Sequence, residues 1–284
     1  TAWFARQPHV LRAKQLVLSG GVLGTVDLLL RSKYQHKTLP HVSDRLGETV
    51  RTNSEALLGV TEVNPPADHN YNDGVAISSI FHPDRDTHVE VVRYPKGSGF
   101  MRTLAAPMAD GTHPILRPLS MLSAFFAHPM QSLRLLLKGD WSSRTIILLV
   151  MQTLDNRMRF RLRYGLFGRT MTTAPEKGKS LRIPSYIPIA NQVARLFARK
   201  VRGVPQSAVN EVVLNIPTTA HILGGCVMGS DPSNGVVNDR HQVFGYSGLY
   251  VCDGSVIPAN LGVNPSLTIT AMSERAMGLI PNSV

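Results

Sequence analysis

Residues 247–277 read SGLYVCDGSVIPANLGVNPSLTITAMSERAM. The run Leu249–Asp253 has the composition of a short strand. A loop rich in glycine and proline follows, and a helix is expected from Pro265 onward. Asn264 has the residue type of an N-cap, and Pro265 that of a first helical position, where a missing N–H costs nothing. The free N–H groups at Ser266 and Leu267 would then leave the helix end, where the helix dipole is positive. Asp253-Gly254 closes the strand, and a glycine there lets main-chain N–H groups approach a phosphate or sugar oxygen.

Working outward, the opposite end of the chain has a similar layout. Lys14–Ser19 (KQLVLS) reads as a short buried strand, Gly20–Thr25 as a tight turn, and Val26–Leu30 as the start of a helix. Glycines such as Gly24 let backbone approach a ligand closely, which suits a cofactor face. No G-x-G-x-x-G occurs, so the chain carries no dinucleotide fingerprint of its own. Between the ends, Val75–Phe81 and His88–Val92 are β-branched runs separated by the turn-like Pro83–Asp86. Leu119–Lys138 is helix-like with a break near Pro129. Arg144–Gln152 reads as a strand. Arg157–Tyr164 (RMRFRLRY) alternates arginine with larger apolar residues, as expected of a half-exposed strand with one basic face. Pro184 and Pro188 mark a loop before an amphipathic helix over Ile189–Val201.

The 284 residues are 43% apolar and 17% charged, which excludes a disordered chain and permits one or two domains. No secretory leader pattern is visible. The best span candidate, Leu119–Leu137, is interrupted by His128, Pro129, Gln131 and Arg134, where about 20 mostly apolar residues would be needed. Cys226 and Cys252 form neither a disulfide framework nor a metal spacing, so small buried thiols and no metal are expected, in keeping with a reducing interior. The net charge is +11. Residues 134–202 hold 15 Lys/Arg against Asp140, Asp155 and Glu176, so this one segment carries the whole excess. It fits a solvated basic face or an anionic membrane surface. A nucleic-acid partner is not expected, because no such motif accompanies the charge and stacking aromatics are sparse there.

Three pieces near the end occur in order: His221-Ile222-Leu223-Gly224-Gly225-Cys226, Asp253-Gly254-Ser255 and Gly262-Val263-Asn264-Pro265-Ser266. Together they resemble the closing motif of the glucose–methanol–choline (GMC) flavin oxidoreductases, most closely the cholesterol oxidase branch. LVLSGGVLGTVDLLLR and LPHVSDRLGETVRTNSEALLG upstream are also similar, so the resemblance covers most of the chain. The family commonly has proline where this sequence has Ile222, a change that leaves the imidazole and both glycines in place.

The resemblance implies an α/β fold with FAD as cofactor. A partial Rossmann-like FAD-binding domain would comprise residues 1–48 and 238–284, and a sheet-based α+β substrate domain residues 49–237. It implies that the family's pyrophosphate-binding glycine turn lies outside this sequence. It also implies oxidation of a sterol 3-hydroxyl, or of another hydrophobic alcohol, by hydride transfer to flavin N5. Electrons would pass to O₂ or another acceptor. His221 would take the hydroxyl proton, a task suited to an imidazole of ordinary pKa about 6.5. Asn264 would hold the same oxygen. Asp253 and Gly254 would meet the FAD chain, while Pro265 and Ser266 at the helix tip, with Gly24, would face the cofactor. Glu90 would shift the steroid double bond, a task for a carboxylate in an apolar setting. The other readings are a GMC enzyme for a different alcohol and a non-catalytic basic module. A cytoplasmic or peripheral membrane location is expected, with secretion left open.

Overall fold

The computed structural model describes residues 10–127, 129–130, 132–133, 139–165, 168–176 and 182–280. Strand β1 (Leu16–Leu18) pairs in parallel with β10 (Leu249–Val251), Leu16 lying opposite Leu249. Parallel neighbours need a crossover connection, and here nearly the whole described chain supplies it. Helix α1 (Gly21–Leu30) follows β1 directly. The turn expected through Thr25 is therefore shorter than its sequence suggests. Gly21 takes the left-handed φ of +69°, and the helix has already begun by Gly24. Thr25 makes this early start favourable: its Oγ1 accepts the Gly20 N–H at 3.0 Å, satisfying a donor at the helix entry.

α1 buries Val22, Val26, Leu29 and Leu30 in a core that also contains Val50, Leu223, Cys226, Val251 and Val256. Residues from both ends of the sequence thus share one apolar interior. Helix α5 (Ser266–Leu279) is the last described element, with Pro265 as its N-cap residue and no side-chain cap. The expected Asn264 cap is displaced by one position, because the Asn264 amide is bonded to Glu90 instead.

A six-stranded antiparallel sheet forms the middle of the chain. Its order is β3 (Ile77–Phe81), β4 (Thr87–Val92), β6 (Thr145–Gln152), β2 (Ala56–Glu62), β9 (Gly203–Ala208) and β5 (Ala105–Pro107). β3, β4 and β6 coincide with the expected strands within two residues. One face is covered by α3 (Pro188–Val201), whose Ala190, Val193, Ala194 and Ala198 pack on Leu58, Val60, Val89, Leu148 and Val150. Pro188 opens α3 rather than belonging to the preceding loop, as its missing N–H allows.

Strands β7 (Met158–Gly165) and β8 (Gly168–Pro175) form a separate hairpin. Phe160 is buried in the α1 core, with Met158 and Leu162 packed against it, while Arg161 and Arg163 are exposed. The alternation expected for this basic strand is present. Helix α2 (Leu116–Ala127) starts three residues before the expected Leu119; residues 134–138 of that expected helix lie outside the described residues. A short helix, α4 (Val209–Val213), follows β9. Among the described residues no helix is long and apolar enough to cross a membrane.

Candidate active site

Strand alternation decides which side chains meet on the sheet face away from α3. Val89 points into the α3 core, so His88 and Glu90 point the other way. Register places Glu90 opposite Leu149, and His88 opposite Met151, on β6. Across β6, Ala56 pairs with Val150 and Leu57 with Leu149. Glu55, one residue before Ala56, is therefore level with Met151 and on the same face as Glu90. β2 and β4 flank β6, so the two carboxylates arise from strands about 10 Å apart. Both are buried, with side-chain exposures of 3%.

Each carboxylate holds a residue from the motifs near the end of the chain. Asn264 Nδ2 donates to Glu90 Oε1 at 2.7 Å and approaches Oε2 at 2.9 Å. His221 Nδ1 lies 2.6 Å from Glu55 Oε1, a close approach whose angles fall outside hydrogen-bond alignment. Glu55 Oε2 accepts the N–H of Ala220 at 2.8 Å. The segment leading into β2 ties these pairs together. Asn53, two residues before Glu55, donates from Nδ2 to the carbonyl of Val263 at 2.7 Å, next to Asn264. Arg51 and Leu223 exchange backbone bonds at 2.8 and 3.0 Å, which fixes the segment that follows His221. His221 and Asn264 are thus carried to one sheet face by residues 51–55, with their contacts made to separate carboxylates. Ser54, between Asn53 and Glu55, has φ of +48°, an uncommon backbone state for a residue with a side chain. A bond from Asn156 Nδ2 to its hydroxyl holds it.

The two glycines after His221 are required by packing. Gly224 has φ of +82°, and a Cβ there would lie 2.1 Å from the Thr49 carbonyl. Gly225 has φ of +95°, and a Cβ would meet Val26 at 2.7 Å. The motif therefore passes closely between the Thr49–Val50 backbone and α1.

Asp253 is turned inward. Its Oδ1 accepts from Ser255 N at 2.9 Å and from Ser255 Oγ at 2.6 Å, and its Oδ2 accepts from Thr25 Oγ1 at 2.5 Å. The carboxylate thus links the end of β10 to the start of α1. Gly254 is buried against Leu223, Ile269 and Val22, and its carbonyl accepts the Gly224 N–H at 3.0 Å. Gly24 opens outward, with no atom from outside its own stretch of helix within 4 Å of where a Cβ would be. Pro265 is buried and Ser266 exposed. The first bond back into α5 runs from Ile269 N to Pro265 O at 2.9 Å, so the N–H groups of Ser266, Leu267 and Thr268 lack an acceptor within the helix.

On the same face of β2 as Glu55 lies an apolar cleft of about 100 Å³, lined by Leu57, Gly59, Tyr94, Met101, Leu104 and Trp141. Cys226 and Cys252 are free and buried; burial pushes the Cys226 thiol up to about 12. Among the described residues no group of His, Cys, Asp and Glu has the arrangement of a metal site. Sequence reasoning missed Glu55. Its signal was a lone carboxylate just before the apolar run ALLGV, a feature that without the sheet register reads as an ordinary surface glutamate.

Comparison with known proteins places this geometry in a family. Residues 167–273 match the GMC oxidoreductase family. The chain is 43% identical over 285 positions to the cholesterol oxidase of Mycobacterium tuberculosis, covering 99% of this chain and 49% of that protein. It is 42% identical over 281 positions to the cholesterol oxidase of Acinetobacter baumannii, covering 99% and 50%. An FAD-dependent oxidoreductase from Chaetomium thermophilum superposes with a TM-score of 0.50 at 18% identity, over 98% of this chain and 57% of the other, which shows a shared fold. The chain spans about half the length of the curated relatives it matches. The matched segment, and a similarity that runs through 99% of the sequence, show that the chain belongs to the GMC oxidoreductase family.

Proposed function

We propose that the protein carrying this chain oxidises an alcohol with FAD, and that the alcohol is the 3-hydroxyl of a sterol. The observation that carries this reading is the convergence of His221 and Asn264, each on its own buried carboxylate, on one face of the sheet. Oxidation removes a hydride from the carbinol carbon and a proton from its oxygen. His221 accepts that proton through Nε2, since Nδ1 faces Glu55. Asn264, with Nδ2 anchored on Glu90, presents a fixed amide to the substrate oxygen. The apolar cleft that begins at Leu57, on the face of β2 that carries Glu55, receives part of the hydrophobic substrate; its volume of about 100 Å³ is below the ~300 Å³ of a pocket that encloses a whole ligand.

The residues present fit a flavin. The N–H groups at the tip of α5 suit an electron-rich carbonyl, and Gly24 leaves open space at the start of α1. Exposed Leu23, Leu28 and Leu267 offer apolar surface around these points. Pro265, Ser266 and Gly24 would hold the group, with Asp253 and Gly254 shaping the strand end beneath it. FAD, when bound, supplies the two-electron acceptor, which then passes electrons to O₂ or another oxidant. Glu90, buried on the same face, is assigned the isomerisation of the steroid double bond. We propose residues 1–48 and 238–284 as the FAD-binding part and 49–237 as the substrate part. The packing of Val22–Leu46 with Val243–Ile257 in one core supports a chain that leaves and re-enters the first part.

The test is the absorbance spectrum of the flavin-loaded protein, with anaerobic bleaching by a panel of sterols and small alcohols. Bleaching by sterols alone supports the reading, and bleaching by small alcohols alone assigns a different substrate. Failure to bind flavin, with retention on heparin or anionic lipid, would favour a non-catalytic basic module. A second reading concerns where the enzyme works. Exposed Arg161 and Arg163 on β7, and exposed Leu119, Leu122 and Phe126 on α2, have the chemistry of a surface that meets anionic headgroups and acyl chains. We propose peripheral docking of this region on a bilayer from which sterol is drawn.

A further inference from the structure

Glu90 is the inner end of a chain of contacts that reaches water. Its Oε1 lies 2.9 Å from His88 Nε2, and His88 Nδ1 lies 3.2 Å from His82 Nε2. His88 and Glu90 are buried, with 7% and 2% exposure, whereas His82 is exposed. His82 follows β3 and His88 lies on β4, so the hairpin between them sets the spacing of the two rings. The rings meet edge to face with centroids 5.0 Å apart. At the inner end, the Asn264 amide donates to the same carboxylate.

Donor and acceptor roles along this chain are consistent in one direction. An ionised Glu90 only accepts, so His88 Nε2 carries a proton toward it. His88 Nδ1 is then an acceptor, and His82 Nε2 donates to it. We infer that His82 and His88 form a proton path joining the buried Glu90 carboxylate to solvent. When Glu90 loses its proton, His88 supplies one from Nε2 and takes another at Nδ1 from His82 Nε2. His82 is reprotonated by water. Reversal of these steps carries a proton outward, and no electrons move. Imidazole serves both ends of such a relay because each ring nitrogen accepts or donates near neutral pH.

The inference rests on the assignment of Glu90 as the isomerising base, and it goes further by giving that base an exchange route. Isomerisation of a 5-en-3-one breaks a C4–H bond, forms an O–H bond on Glu90, and returns a proton to C6. The experiment supplies the flavin-loaded protein with cholest-5-en-3-one in D₂O and measures deuterium at C6 of the product. Deuterium should enter with the wild type and fall severalfold in His88→Gln, whose amide still reaches Glu90 but relays poorly, and in the surface variant His82→Ala. Added imidazole should restore labelling in His82→Ala. Equal labelling in all three proteins, or none in the wild type, would overturn the path. Absence of any isomerisation by the wild type would instead remove the role of Glu90. In that event ¹⁵N NMR of the histidine rings decides the path separately. A His88 protonated at Nε2 and bare at Nδ1 supports it, and the opposite tautomer overturns it.

Discussion

Nδ1 of His221 stands 2.6 Å from Oε1 of Glu55, while the other oxygen of that carboxylate holds the N–H of Ala220. Glu55 therefore bonds the backbone that carries His221 and places a carboxylate oxygen beside its imidazole. A carboxylate beside one ring nitrogen favours a proton there and leaves the other nitrogen free to take the substrate's proton. Glu55→Gln keeps an acceptor for Ala220 and removes the charge. The rate of flavin bleaching should fall on the order of 10²-fold, part of the 10²–10⁴ that a positioned base contributes, with a smaller change in KM. Stopped-flow absorbance reads this directly. A variant that bleaches at the wild-type rate would leave Glu55 as scaffold alone.

Glu90→Gln separates the two proposed steps. Oxidation should persist, because the Gln carbonyl still accepts from Asn264 Nδ2. Isomerisation should fall by about 10²-fold or more, since no base remains to take the C4 proton. Product analysis by chromatography would show the 5-en-3-one accumulating. If the conjugated 4-en-3-one forms at the normal rate, Glu90 is not the base.

Glu211 on α4 gives a pH-dependent stability unrelated to the reaction. Burial, opposed by Thr218 and Arg117, pushes its carboxyl from 4.5 up to about 7. Because the folded value is raised, the native state holds a proton that the unfolded chain releases between those two values. This contribution to stability is complete below pH 4.5 and is lost as pH rises through about 7. Glu211→Gln should flatten that dependence and stabilise the protein above pH 8 by on the order of 3 kcal/mol. Chemical denaturation at several pH values measures it, and an unchanged slope would refute the assignment.

Membrane docking is tested by co-sedimentation with vesicles of neutral or anionic lipid. Each basic side chain near an anionic surface contributes about 1 kcal/mol. Replacing both Arg161 and Arg163 with Gln should lower partitioning roughly 30-fold on anionic vesicles. Wild-type binding indifferent to anionic lipid would remove the proposal.

Much of the site was legible because its residues sit in local patterns. The strand before Asp253, the helix after Pro265 and the alternation around Glu90 depend on neighbours in sequence, and the structure has all three. What could not be read depends on distant partners. β2 (ALLGVTE) is buried on both faces and shows no alternation, and β9 (GVPQSA) contains glycine and proline, which argue against a strand. Without β2 the register across β6 is invisible, and so is the placement of Glu55 level with His88. The N-cap shifted for the same reason: Asn264 has the residue type of a cap, but Glu90, 174 positions away, takes its amide. Thr25 likewise looks like a turn residue until Asp253 and Gly20 supply its partners.

The most direct measurement is the anaerobic bleaching rate of the flavin-loaded protein by cholesterol, with His221→Ala compared against the wild type at equal flavin content. The imidazole is assigned the substrate proton, so the variant should keep its yellow spectrum and bleach about 10²–10⁴-fold more slowly. A variant that bleaches as fast as the wild type would mean that the proton goes elsewhere, and the roles assigned to His221 and to Glu55 behind it would both be wrong.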